Sequence, residues 1–293
     1  IGEIAMPSTY AHYRLGQEVL GQLPGGIRTT INSYKQLYDI GLHGPDILFY
    51  YKPLWTCTVN KQGYDMHGRS GREFFENAAK VISRLDARDE RAALAYVYGF
   101  CCHFALDVSC HEYIDEKIAA SGVSHTEIEV EFDRSLMIKD GFNPLTHSLT
   151  DHIIPTHENA DIIRKFYDNL TTDEVIQALD GMIKYNKLLI APSHLKRYPI
   201  YALLGITGNY KEMHGVLVNY KANPQCADST EKLYKLYDNA VRLAVRLIGE
   251  FRDSASGALP FNKIYDYTFG GKYVQDAEGN VGENVVMMDR KAI

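Results

Sequence analysis

A chain of 293 residues with 45% hydrophobic and 23% charged side chains is long enough to bury a substantial core and has an ordinary soluble composition. Its formal charge of −6 gives no electrostatic footprint for nucleic acid or an anionic membrane, so no stable nucleic-acid partner is expected. There is no run of 18 apolar residues and no basic region followed by an apolar one, which argues against a transmembrane helix or leader and favours a cytoplasmic location.

In chain order, Ser8-Thr9 reads as the cap of a helix over 10–23, stopped by Pro24-Gly25-Gly26, with His12 in its first turn. A second helix over 27–38 leads into Gly41-Leu-His-Gly-Pro-Asp46, a loop that can bring backbone close to a ligand. Asp46 reads either as a helix N-cap or as a carboxylate for general-base work. The aromatic run Phe49 to Trp55 serves core packing or, as the sharper alternative, holds a quaternary ammonium by cation–π attraction. His67 falls in a glycine-flanked loop, Gly63-Tyr-Asp-Met-His-Gly68.

Apolar recurrence near 3.6 then predicts helices over 71–85, 89–119, 125–139, 159–169, 172–190 and 229–254, with no convincing strand before residue 255. Thr171-Thr172-Asp173-Glu174 and Asp228-Ser-Thr-Glu231 both read as capped starts. His147, His152 and His157 recur every five residues, which suits no helix face, and are read as structural or loop residues; His194 and His214 are isolated. The Gly- and aromatic-rich stretch from Gly257 reads as an extended tail with a hairpin near Glu278-Gly-Asn280. The expectation is an all-α protein: one multi-helix domain over 6–255 and an irregular extension over 256–293 packed on it.

Within the apolar helix around residue 100, His103, Asp107 and His111 lie four apart, and His125 and Glu129 repeat the spacing, so each set projects from one helix face. Imidazole and carboxylate are what zinc accepts from protein, and a helix fixes their separation in advance. One such pair is an ordinary surface contact or cap. The whole set on an apolar helix is harder to explain without a metal, because buried polar groups need partners. Five cysteines, three of them at Cys101, Cys102 and Cys110, have no disulfide-framework spacing and read as reduced, packed thiols.

The ordered set His12, Asp46, His67, His103, Asp107, His111, His125 and Glu129 resembles the zinc-dependent phospholipase C family, which is related in fold to single-strand nucleases. His103 to Asp107 and His125 to Glu129 match that family in type and spacing, and Gly41 to Asp46 resembles the segment bearing its active-site carboxylate. His111 departs, following Asp107 by four residues where the gap is usually longer. The resemblance implies two or three zinc ions: Asp107 bridging, His67 and His103 completing one set, His111, His125 and Glu129 another, and His12 joining Asp107 at a third. Where the family's leading Trp would add donors, water, the Pro7 amine or His43 would substitute. Asp46 would serve the attacking water.

Competing motifs are missing: His111-Glu112 is not followed by a second histidine at zincin spacing, and neither a Gly-x-Ser-x-Gly elbow nor a phosphate-binding Gly-Lys-Ser/Thr loop occurs. The activity the resemblance implies is hydrolysis of a phosphodiester, with a phospholipid head group or a small phosphoester as partner. A nuclease or nucleotidase of the same superfamily, and a non-catalytic zinc-binding protein, are the alternatives. Oligomeric state is not legible.

Overall fold

The computed structural model describes residues 8–206 and 214–274, and its helices are organised around one of them. That helix, α6 (Ala87–Ser121), begins where the Asp86 carboxylate accepts from the amides of Arg88 and Asp89, and ends at Gly122 in the left-handed conformation. Twenty of its residues, from Ala92 to Cys110 together with Ile114, are buried. A helix apolar all round belongs at the centre of a bundle. By length and composition α6 is apolar enough to cross a membrane, yet its apolar window is wholly buried inside the protein.

Around it stand α1 (Thr9–Gln22), α2 (Gly25–Ser33), α3 (Lys35–Gly41), α4 (Thr58–His67), α5 (Gly71–Ile82), α7 (His125–Lys139), α8 (His157–Arg164), α9 (Thr172–Leu189), α10 (His194–Ile206) and α11 (Ala227–Ala255). Of these, α3 and α11 pack on α6 most extensively. No strand occurs among the described residues, only isolated bridges at Ser70–Thr268 and Tyr267–Tyr273. The all-α expectation holds.

Several boundaries differ from the sequence reading, each for a local reason. The helix expected over 27–38 breaks at Tyr34, whose φ of −132° and ψ of 42° interrupt the ladder. His67 is not in a loop: it is the last residue of α4, which starts with a reciprocal cap between Cys57 and Asn60. Gly63 inside that helix is explained by space, since a Cβ there would sit 3.0 Å from the Pro45 carbonyl oxygen. The helix expected over 159–169 stops at Arg164, and α11 starts at Ala227 without a side-chain cap, Asp228 pairing instead with Lys117 at 2.7 Å. The Thr171–Glu174 capping box forms as expected.

Two close approaches set the geometry of the site. A Cβ on Gly41 would lie 2.2 Å from the Tyr96 carbonyl oxygen, and one on Gly99 would lie 2.2 Å from that of Tyr38. Helices α3 and α6 therefore touch backbone to backbone, one turn before His103. Beyond α3, Gly44 has φ +49° and a Cβ there would strike the His103 ring at 2.2 Å. The 3-10 turn Gly44–Tyr50 is thereby held against α6, bringing Asp46 beside His103.

The stretch after α11 is bound to the bundle. Ser70 Oγ donates to the Tyr265 carbonyl and the Gly71 amide to that of Tyr267, while Tyr265, Tyr267 and Phe269 are buried. The hairpin expected near Glu278 lies outside the described residues, as does Pro7.

Candidate metal centre

Asp107 is the hinge of the site. Its Oδ1 lies 3.2 Å from His12 Nε2, and its Oδ2 lies 3.1 Å from His103 Nε2 and 3.9 Å from His67 Nε2. His67 Nε2 also stands 2.9 Å from Asp46 Oδ1, and His103 Nδ1 3.9 Å from Asp46 Oδ2. Farther along α6, His111 and His125 both face Glu129 Oε1, at 3.4 and 3.2 Å. Three donor sets result, each drawn within 4.8 Å: His12 with Asp46 and His103, His67 with His103 and Asp107, and His111 with His125 and Glu129. All eight residues singled out in the sequence converge here.

Helices put them there. His103, Asp107 and His111 share one face of α6, and His125 and Glu129 share one face of α7. The start of α7 is fixed by Ser124 Oγ, which accepts from the Glu127 amide. α1 is anchored at its N-terminus by a residue from α7: the Asp133 carboxylate accepts from the Tyr10 and Ala11 amides at 2.9 and 2.8 Å and from Ser8 Oγ. Burial pushes the Asp133 carboxyl up to about 6, against those three hydrogen bonds. His12 is thus positioned by an acid that the sequence reading did not single out, Ser8 being expected as the cap.

Two tautomers follow from hydrogen bonding. A carbonyl oxygen only accepts, so His67 Nδ1, 2.8 Å from the Gly63 carbonyl, must carry a proton, and so must His111 Nδ1, 3.0 Å from that of Phe269. In the neutral ring each Nε2 then turns a lone pair toward a carboxylate oxygen. That arrangement is repulsive unless a cation, proton or metal, lies between them, and a carbonyl fixing the outer nitrogen is how proteins orient histidine ligands. Gly63 and Phe269 contribute through backbone oxygens, so no side-chain motif announces them.

The buried polar groups are unsatisfied in the same direction. His12 Nδ1, both ring nitrogens of His103, Asp46 Oδ1, Asp107 Oδ2 and Glu129 Oε2 have no hydrogen-bond partner. The ion-pair partners of Asp46, Asp107 and Glu129 are all histidines. Burial favours the neutral acid, but His103 and His111 hold Asp107 well below the usual carboxylate range. Glu129 is likewise drawn down to about 2 by His125 and His111 despite burial. Burial opposes charge on His111, yet the carboxylates of Asp107 and Glu129 push it up to about 10. Such a set has the donor types that zinc takes, at separations suited to a shared ion with bonds of roughly 2.0–2.2 Å. A cavity of about 20 Å³ touches His12, Asp107, Cys110, His111 and Glu129, room for one water-sized or ion-sized body.

Other expectations are narrowed. Asp46 does not cap the turn it belongs to; its carboxylate faces His67. His43 is not a substitute donor, because its Nε2 lies 2.7 Å from that of His152, one ring donating to the other, while Tyr13 stacks on His152 at 3.9 Å. Burial lowers both histidines, His152 to about 3, so the pair is neutral. The five cysteines are free thiols, as expected. Phe49, Tyr50 and Tyr51 pack in the core, whereas Leu54 and Trp55 are exposed.

An all-helical scaffold presenting three histidine–carboxylate sets, two of them sharing His103, defines the class: a helical protein whose buried donor sets could hold metal ions. The zinc-dependent phospholipase C family matches residues 11–188, from the helix carrying His12 to the end of α9, and the chain belongs to that family. No curated protein and no solved structure matches the chain.

Proposed function

We propose that the chain is a zinc-dependent phosphodiester hydrolase that cleaves a phospholipid, or a related small phosphoester, at its head-group phosphate. The reading is carried by the buried histidine and carboxylate atoms left without hydrogen-bond partners across the donor sets, which a purely structural histidine cluster would leave costly. In it, His67, His103 and Asp107 would hold one zinc, His111, His125 and Glu129 a second, and His12 with Asp107 a third. Bound zinc supplies Lewis acidity toward phosphate oxygens and a more acidic water.

The chain's own residues do the rest. Asp46, whose carboxylate faces His67 and His103, would accept a proton from the attacking water and orient it. Phe269, packed 5.4 Å from His67 and 5.8 Å from His103, keeps bulk water from that side. His67 and His125, whose side chains are 24% and 31% exposed, mark the open face by which substrate enters. On this reading the helical domain spans residues 6–255 and the extension from 256 onward completes the site through Phe269.

The test is zinc content by elemental mass spectrometry on untagged protein, followed by turnover of phosphatidylcholine against single-stranded DNA. Two or three equivalents of zinc with release of phosphocholine support the proposal. Activity on DNA alone would move the substrate to the nuclease reading. Less than one equivalent after reconstitution would sink the metal assignment.

A further inference from the structure

Helix α10 carries an apolar stripe on the side that faces water. Leu195, Tyr198, Pro199, Ala202, Leu203 and Ile206 are all exposed, Leu195 and Ile206 by 85% each. Their spacing of 3, 1, 3, 1 and 3 residues is one face of a helix, so the exposure is a continuous band rather than scattered positions. Pro199 within the helix is accommodated on this same outward face. The opposite face is occupied: Arg197 donates to the carbonyls of Ala191, at 2.7 Å, and Val218, and stacks over Tyr220 at 3.9 Å. An amphipathic helix is ordinarily apolar toward the core and polar outward; α10 is apolar where no protein covers it among the described residues.

Charge narrows the occupant. From Gly181 to Ile206 the sequence has Lys184, Lys187, Lys196 and Arg197 and no acidic residue, in a chain whose net charge is −6. Lys184 and Lys187 are exposed at the end of α9, and Lys196 donates to backbone carbonyls of Lys187 and Ile190 rather than to a carboxylate. Local basicity beside an exposed apolar stripe fits an anionic lipid interface, where long side chains enter the head-group region and ammonium groups meet phosphate.

Position links this face to the metal centre. The segment that α10 rests on is bound to α7: Asn219 Nδ2 donates to Glu131 at 2.8 Å and Asn223 Nδ2 to Glu127 at 2.7 Å. Both glutamates lie on α7, two residues either side of Glu129 and so on the helix face turned away from it. The donor set and the apolar stripe are linked through the segment over 214–223, which bonds to α7 on one side and to Arg197 of α10 on the other.

We propose that α10 docks the protein on an anionic phospholipid surface, its Leu195–Ile206 stripe entering the interface and the exposed Lys184 and Lys187 meeting the head groups. The inference rests on the phospholipid reading of the site and adds the surface through which such a substrate is met. The zinc-loaded full chain should co-sediment with vesicles of phosphatidylcholine mixed with phosphatidylglycerol, and more weakly with phosphatidylcholine alone or in high salt. Leu195→Asp with Leu203→Asp should lower partitioning about tenfold or more, with helical content, zinc content and turnover of a short-chain monomeric phospholipid unchanged. Lys184→Glu with Lys187→Glu should flatten the difference between the two vesicle types.

Partitioning of the leucine variant equal to the unmodified chain, or no partitioning of the unmodified chain, overturns the proposal. So does a leucine variant that turns a dimer into a monomer in sedimentation, which would make the stripe a contact between copies. Vesicle binding lost in the variants supports docking even where no phospholipid is turned over, a result that counts against the catalytic reading alone.

Discussion

The metal centre and helix α10 invert the usual distribution of polarity in opposite senses. Around Asp107, histidines and carboxylates are buried among Phe100, Phe104 and Phe269, where ions and imidazoles are costly. On α10, leucine, tyrosine and isoleucine face water with a basic border. On the proposed readings each departure is met by a counterpart, a cation in the first case and an apolar, anionic surface in the second. The difference lies in how firmly each is held: eight donors from α1, the Gly44–Tyr50 turn, α4, α6 and α7 converge on the centre, whereas the stripe depends on one helix.

The largest effect should come from breaking the shared donor. Asp107→Ala removes a carboxylate that faces three histidines, and should cost zinc from two sets and lower kcat by roughly a thousandfold or more, several kcal/mol of barrier. Elemental analysis and phosphodiester turnover check it, and vesicle binding through α10 should survive. Asp46→Asn should lower kcat by about 10²–10⁴ while zinc content stays constant; full activity would remove Asp46 from the mechanism.

A third change tests the scaffold rather than the donors. Gly99→Ala forces a methyl against the Tyr38 carbonyl oxygen and should destabilise the fold by about 1–3 kcal/mol, seen as a lower denaturation midpoint. Because α3 then shifts from α6, the Asp46–His103 relation should loosen and kcat fall with stability.

The smallest effect is a pH window in zinc-free protein. His111 is raised from 6.5 to about 10, so its contribution is fully present below pH 6.5 and is lost as pH rises toward 10. Glu129 is lowered from 4.5 to about 2, so its contribution is present above pH 4.5 and is lost as pH falls toward 2. Together they place the stability maximum of the zinc-free chain between pH 4.5 and 6.5. Zinc takes neutral imidazole, so its stabilisation should grow from pH 5 to 8; a pH-independent increment in melting temperature would count against His111 as a donor.

Much of the centre was legible because helices convert spacing into direction. His103, Asp107 and His111 at intervals of four had to share a face, as did His125 and Glu129, and the apolar residues around them marked α6 as buried. The supports were not legible. Asp133 under the start of α1, the Gly63 and Phe269 carbonyls behind His67 and His111, and the pairing of His43 with His152 all join residues distant in sequence or act through backbone atoms, which carry no residue signature. The placement of His67 was misread because Gly63 suggests a loop until its packing against Pro45 is seen. α10 was not among the helices read from the sequence, and it holds Pro199 in its interior.

By itself, then, the sequence determined an all-helical chain, its apolar central helix and the residue types of a zinc-type donor set, because local periodicity and side-chain chemistry suffice for those. Only the tertiary structure decided that Asp107 faces three histidines at once, that Asp46 turns toward His67 instead of capping a helix, and that the apolar stripe of α10 is exposed among the described residues. Those are relations between separate elements, the α3–α6 contact at Gly41 and Gly99 among them, and no one-dimensional pattern records them.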